Sequence, residues 1–486
     1  MEHSSSSAFE VCNRCVSNEG KPRLAAAFIC RERLETARSP WRLLLQQMRY
    51  VRTERELRIS LATPFTLGRF KALSIKRAMA SSYLSFLPSW QLLLVGTPLL
   101  LLTFLFAIYL AVVPTVLTDR RRRSLPPGPR GLPLIGNWRD LRVPETFWKK
   151  AIEWKDEYGD VFHVNFGGAD YIFLSSPQSV KALMDQRSSI YSSRPPQPLA
   201  GEVASAGRRQ LFMPYGPRYR TVRRISHDLL NARIVTSYQP IQDLESKQLL
   251  FDMMNDPDNF YLHNRRYSAS VIITATYGHR IDSFDHPLAQ KVYSVVNNMQ
   301  LYMEPGAWLV DSLPALRALP QWMLGTWRDF GESCFQHDHK IYLALWENLK
   351  KEVKEGKARD CFCKRFLESD PEKQGLDTLQ AAYQSGGLVE AGSETTSAFL
   401  NTTILQLTKY PEVQRKAQEE IDRVVGPDRL PTWEDEPNLP YLRAIIKETL
   451  RMRPPNKFGI NHYTTEDDWY NGMFIPKNTI VTLNWW

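Results

Sequence analysis

From Ala78 to Thr118 the chain carries no charged residue, and Leu92 to Leu117 is almost continuously apolar. At ~1.5 Å per helical residue such a run crosses a ~30 Å hydrocarbon core, so it predicts a transmembrane helix at about 92–117. Pro98 and Pro114 kink it or mark its ends, which lipid-embedded helices tolerate better than soluble ones. Asp119 to Arg123 (Asp-Arg-Arg-Arg-Arg) follows at once, the basic stop expected on the cytosolic side. Lys71, Lys76 and Arg77 make the preceding flank basic as well, a conflict that disappears if Met79 is the functional start. The expected organisation is therefore a basic N-terminal extension at 1–78, disordered or not native, and a membrane anchor at 79–123.

The net charge of +10 is no sign of a nucleic-acid partner. Residues 1–90 hold 15 Lys/Arg against 7 Asp/Glu, which leaves 47 against 45 for the remainder. A nucleic-acid module carries its basic excess on the folded part, and here that part is nearly neutral. Cys12, Cys15, Cys30, Cys334, Cys361 and Cys363 follow no framework spacing, so a disulfide-stapled secreted fold is not expected. The Cys12-x-x-Cys15 pair has no second pair or histidine partner nearby, and chance is the plainer reading.

Leu125 to Asn137 is rich in proline and glycine and reads as a stiff hinge (124–137) between the anchor and a domain at 138–486. Within that domain Pro144 to Tyr158 has an amphipathic helical pattern ended by Gly159, and Val161 to Phe166 and Tyr171 to Leu174 read as strands. Helical patterns dominate up to Arg451, and strands return at Met473 to Ile475 and Thr479 to Leu483. The fold class is mainly α with small β-sheets.

Ala391-Gly392-Ser393-Glu394-Thr395-Thr396 lies inside a long helical pattern from about Asp377 to Thr408. A mid-helix glycine costs about 1 kcal/mol relative to alanine, so it invites a reason. Gly392 beside hydroxyls that bond to the preceding turn is read as opening a groove, with Glu394 and Thr395 as a proton-relaying acid and alcohol. Taken alone, such a cluster is more often a capping or flexible feature. Glu448 and Arg451 stand at i and i+3 on one helix face. On the surface such a pair means little; buried, it needs further partners and fixes a core.

Their order along the chain is more specific than any one of them. Pro-Pro-Gly-Pro-x-Gly-x-Pro, Ala-Gly-x-Glu-Thr-Thr, Glu-x-x-Arg with Arg453-Pro454, and Phe474-Ile475-Pro476-Lys477 together resemble the cytochrome P-450 family over Leu125 to Trp486. The resemblance implies the cytochrome P-450 fold and a haem-thiolate monooxygenase that inserts one oxygen atom into an apolar small molecule, with haem b as cofactor. Electrons would come from NADPH through a reductase partner. It implies Ala391 and Gly392 as the oxygen groove, Glu394 and Thr395 as the proton-delivering pair, and Glu448 with Arg451 as a structural ion pair. Arg223, four residues after Tyr219, matches an arginine that holds a haem propionate, with Tyr219 in place of the usual tryptophan. His462 falls where the family places a second propionate partner. The anchor implies a single-pass protein of the endoplasmic reticulum membrane with a cytosolic catalytic domain, and the wording near Tyr463 to Gly472 resembles fungal members, many of which act in secondary metabolism.

Family members also carry a glycine-rich loop with the ligand cysteine, and here no cysteine follows Cys363 and the sequence stops at Trp486. The expectation is a chain truncated before its thiolate ligand, inactive as it stands, with the strand at Thr479 to Leu483 left unpaired and the Glu448–Arg451 cluster incomplete. The competing class is a haemless membrane remnant without catalysis. Which substrate is oxidised has no code in this sequence.

Overall fold

A computed structural model describes residue 103 and residues 119–132, 135–141, 147–304 and 306–485. The span expected at 92–117 and the extension at 1–78 lie outside them, as do Cys12, Cys15 and Cys30. Among the described residues no helix is long and apolar enough to cross a membrane.

Ten helices carry most of the described domain: α1 Phe147–Tyr158, α2 Pro217–Leu230, α3 Gln239–Asn255, α4 Phe260–Tyr277, α5 Pro287–Met303, α6 Trp327–Lys354, α7 Phe362–Glu368, α8 Thr378–Lys409, α9 Pro411–Val424 and α10 Pro440–Met452. α8 begins where Asp377 accepts a hydrogen bond from the Gln380 amide at 2.7 Å, satisfying one of the amides that a helix start leaves free. It packs along α4, and with α5, α6 and α7 the two enclose a core built around Tyr342, Trp346, Phe362, Phe366 and Tyr383.

The strands are β1 Val161–Phe166, β2 Ala169–Leu174, β3 His462–Tyr463, β4 Asp468–Tyr470, β5 Met473–Ile475 and β6 Ile480–Leu483. β4 and β5 form a separate antiparallel hairpin, and the larger sheet has the order β1-β2-β6-β3. β6 therefore lies between two neighbours, parallel to β2 (Tyr171 opposite Ile480) and antiparallel to β3 (His462 opposite Val481). This corrects the expectation of an open edge at Thr479 to Leu483. A strand far along the chain finds its partners in β2 near the start of the domain, a pairing that no local pattern announces.

The proline-rich segment is not a free hinge. The His163 amide donates to the Pro127 carbonyl at 2.9 Å and the Asn137 amide to the Asn165 carbonyl at 2.6 Å, so the segment is fastened along β1. Its basic prelude is fastened too. Arg122 pairs with Asp170 at 2.6 Å, and Arg121 pairs with Asp467 at 2.9 Å while its guanidinium lies 4.7 Å from the Phe474 ring centre. Burial opposes ionisation of Asp170, but His163 and Arg122 beside it outweigh that and lower its carboxyl to about 2.

Candidate active site

Ala391, Thr395 and Thr396 lie exposed along one side of α8, while Ser393 and Ser397 on the other side are buried. The Thr395 hydroxyl donates to the Ala391 carbonyl at 2.8 Å, the bond to the preceding turn that the residue type favours. Gly392 faces α4. A Cβ there would stand 2.5 Å from Ile272 of α4, and Ser268 donates to the Gly392 carbonyl at 2.7 Å. The glycine serves close contact between two helices, and the helix runs through it unbroken.

Glu394 points away from the exposed side. It forms an ion pair with Arg265 of α4, whose guanidinium sits 4.0 Å from the Tyr293 ring centre. Burial works against that cation, yet the Glu394 carboxylate raises Arg265 above its ordinary value. Glu394 and Thr395 are thus neighbours in sequence that face different surroundings, a consequence of the ~100° step between successive helical residues.

A second group assembles around β3. His462 shares a 2.8 Å hydrogen bond from Nδ1 to the Tyr191 carbonyl, and burial, with the nearby Arg194 cation, lowers its ring to about 4. At neutral pH the ring is therefore uncharged, with Nδ1–H donating to that carbonyl. Arg194 donates to the carbonyls of Ile460 at 2.8 Å and Asn461 at 2.9 Å, while its buried Nε has no partner. Burial lowers the Arg194 guanidinium, and it has no carboxylate partner among the described residues. Tyr219 lies within electrostatic reach of it, the ring 5.7 Å from that of Tyr215. Arg223, one turn further along α2, is exposed and makes no ion pair among the described residues.

A partly buried cation with an unpartnered Nε beside a neutral histidine is the setting in which an anionic carboxylate is welcome, because a charge drawn out of water without its counterpart is costly. The residues present thus fit the carboxylate edge of a haem. The described cysteines are placed differently. Cys361 and Cys363 are fully buried in the core beside Phe362 and Phe366, and Cys334 is 4% exposed in another cluster. Burial raises the Cys363 thiol well above its usual value and the Cys334 thiol to about 12.

Glu448 and Arg451 form a two-pronged pair at 2.7 Å, but with 53% and 71% of their side chains exposed. The expectation of buried, incompletely satisfied charges at this place is therefore incorrect for the described structure. Solvent completes the hydration of both groups, and an exposed pair contributes little.

The buried charge cluster is elsewhere. Arg209 donates from Nε to Glu390 at 2.8 Å and from Nη2 to Asp338 at 2.6 Å, and Tyr342 donates to Glu390. Arg209 and Asp338 are 1% and 0% exposed in their side chains. Sequence reasoning missed Arg209, Arg265 and Arg194. Only Arg194 carries a local signal, since Pro195 and Pro196 after it force extended backbone and leave its segment without two amide donors.

A family profile for cytochrome P450 matches residues 126–486. The chain is 46% identical over 371 residues to cytochrome P450 monooxygenase verL of Clonostachys rogersoniana, covering 76% of this chain and 68% of that one. It is 35% identical over 410 residues to cytochrome P450 monooxygenase 58 of Postia placenta, covering 84% and 77%, and 37% identical over 372 residues to cytochrome P450 monooxygenase claR of Ampulloclitocybe clavipes, covering 75% and 68%. The chain belongs to the cytochrome P450 family. Membership makes it an oxidoreductase by descent and implies haem iron, a redox partner and a small-molecule substrate.

Proposed function

We propose that this protein is a haem-dependent monooxygenase that inserts one atom of dioxygen into an apolar small molecule, in fungal secondary metabolism. The observation that carries the reading is the family match across residues 126–486, which contains both the exposed Ala391–Thr395 face and the Arg194–His462 group. Thiolate-ligated haem iron supplies the oxygen chemistry: an electron pair from NADPH, through a reductase, and a pair of protons turn the second oxygen atom into water.

This chain's residues bind and manage protons. Arg194, with His462 and Tyr219 beside it and Arg223 on the outer turn, holds the carboxylates of the cofactor. An anion at Arg194 would lift His462 from its low value and let the ring contribute a second charged donor. Thr395 Oγ1 holds a proton donor on the exposed side of α8. Glu394 exchanges protons with solvent on leaving Arg265, and Ala391 keeps the space beside Thr395 small-sided and apolar.

With a related C-terminal segment carrying the ligand cysteine joined after Trp486, Thr395→Ala should raise NADPH consumed per product by roughly tenfold or more while substrate still binds. Unchanged coupling would remove Thr395 from the mechanism.

The proposed location is the endoplasmic reticulum membrane, with a single span at about 92–117 and cytosolic residues 119–486. A glycosylation acceptor engineered near Ser81 is then modified and one placed after Arg123 is not. The reverse pattern would invert the orientation.

A further inference from the structure

We infer that the cavity formed by the start of α3, the end of α4 and the segment leading into α7 is a binding site for a small apolar carboxylic acid, its carboxylate held by Arg359 and Arg280. The site shares no residue with the Arg194–His462 group or with the exposed side of α8, and it does not rest on the monooxygenase reading.

The cavity has a volume of about 290 Å³, near the lower end of the roughly 300–1,000 Å³ of small-ligand sites. Its apolar wall is the first part of α3, where Pro240, Ile241 and Leu244 stand at the three- and four-residue spacings that share one helix face. Thr274 and Gly278 of the end of α4 continue the lining. The Thr274 hydroxyl already donates to the His279 carbonyl at 3.0 Å, so it offers the cavity no free donor. Gly278 follows α4 with φ of 79°, and a Cβ there would stand 3.3 Å from the Cβ of Arg359. Glycine at this place lets the Arg359 segment pass close to the helix end.

The polar edge, with the ion pairs that adjoin it, carries one cation too many. Glu245, Asp252 and Asp360 stand against Arg266, Arg280, Arg359 and Arg365, three carboxylates to four guanidiniums. Every one of those carboxylates is engaged. Glu245, 1% exposed, is shared by Arg266 and Arg280, Arg266 also reaches Asp252 at 3.0 Å, and Arg365 grips Asp360 with two prongs. Arg359 is exposed and makes no ion pair among the described residues. Arg280 gives Nε to Glu245 at 2.7 Å and Nη2 to Gln248 at 3.4 Å, while its Nη1 has no hydrogen-bond partner among the described residues. Residues 350–365 hold seven Lys/Arg against three Asp/Glu, a local field that draws an anion.

The backbone that carries Arg359 is fixed on both sides. The Lys357 and Ala358 amides donate to the Glu352 carbonyl at 2.9 and 3.2 Å, and Asp360 is tied to Arg365 of α7. A guanidinium on a held backbone, with a second one lining the same cavity, suits the two oxygens of a carboxylate at little cost in ordering. The wall of Pro240, Ile241 and Leu244 then takes the apolar body. A bare anion would leave that wall in water, and a neutral apolar molecule would leave Arg359 without its counter-charge.

The test is calorimetric titration of the full chain in detergent with 4-phenylbutyrate, with amide hydrogen exchange read by mass spectrometry to locate the ligand. Binding should saturate, and 4-phenylbutyramide, the same body without the charge, should bind about tenfold more weakly or not at all. Arg359→Gln and Leu244→Asp, both at exposed positions, should each weaken the acid about tenfold or more, as expected for loss of a charged hydrogen bond or gain of a like charge. At saturation, peptides covering 240–245, 274–280 and 358–361 should gain protection. Absence of saturable binding, equal affinity for acid and amide, unchanged affinity in either variant, or protection gained at 190–194 and 460–463 instead would each overturn the proposal. Displacement by an equal concentration of inorganic phosphate would overturn it too, because the apolar wall would then add nothing. None of these readouts involves haem, so failure of this site and failure of the monooxygenase reading are told apart.

Discussion

Expressed as residues 1–486 and supplied with haem, the polypeptide gives no thiolate-type absorbance band when reduced and exposed to carbon monoxide. The same chain extended by a relative's C-terminal segment gives one. The reason lies in where the three described cysteines are. A ligand must be a thiolate, and thiolates form at exposed, electropositive positions. Cys361 and Cys363 are 0% exposed among aromatic side chains, and burial raises both thiols. Cys334 is 4% exposed in the cluster with Tyr302 and Trp327, close to the negative charge of Asp338, which raises its thiol further. Moving any of them to the Arg194–His462 group means dismantling the core that holds α7 or α6. A thiolate-type band from the unextended chain would defeat this account and identify an unforeseen ligand. A band absent from both chains would instead defeat the monooxygenase reading.

Arg209→Met is expected to cost about 3–5 kcal/mol of stability, the usual loss when one partner of a buried charge cluster is removed. Asp338 and Glu390 would be left without their shared cation inside the protein, with Tyr342 on Glu390 and Asn298 and His337 on Asp338 as the remaining hydrogen-bond partners. The rings of Tyr302, Tyr342 and Tyr383, 5.4–5.9 Å from the guanidinium, would lose their cation as well. Arg451→Gln, at the pair the sequence singles out, should leave the denaturation midpoint almost unmoved because that pair is exposed. Comparing the two variants by urea denaturation decides the matter. Equal midpoints would mean that water enters the Arg209 cluster and compensates both carboxylates.

This contrast also marks the limit of what the sequence discloses. Glu448–Arg451 is visible because both residues belong to one helix, where spacing by three places them together. Arg209, Asp338 and Glu390 come from three separate stretches, and no periodicity links them. The same holds for Glu394. Its place in the acid-alcohol motif is legible, but its partner Arg265 lies 129 positions away and becomes visible only when α4 packs against α8.

By itself, the sequence determined the secondary structure that short-range physics governs. The long helix from Thr378 was legible because Asp377 caps it, α1 because its apolar positions recur at helical spacing and Gly159 follows, β1 because apolar and polar residues alternate along it, and β2 because it is a short apolar run between turns. The family followed from the order of motifs, which a linear reading preserves. Tertiary structure alone decided that β6 is an inner strand, that Gly392 is a packing contact with Ile272 and that Arg194 is the half-satisfied cation beside His462. These properties depend on which surfaces meet. Burial and electrostatic partnership come from neighbours distant in sequence, whereas helix starts, strand alternation and motif order are written within a few residues of one another.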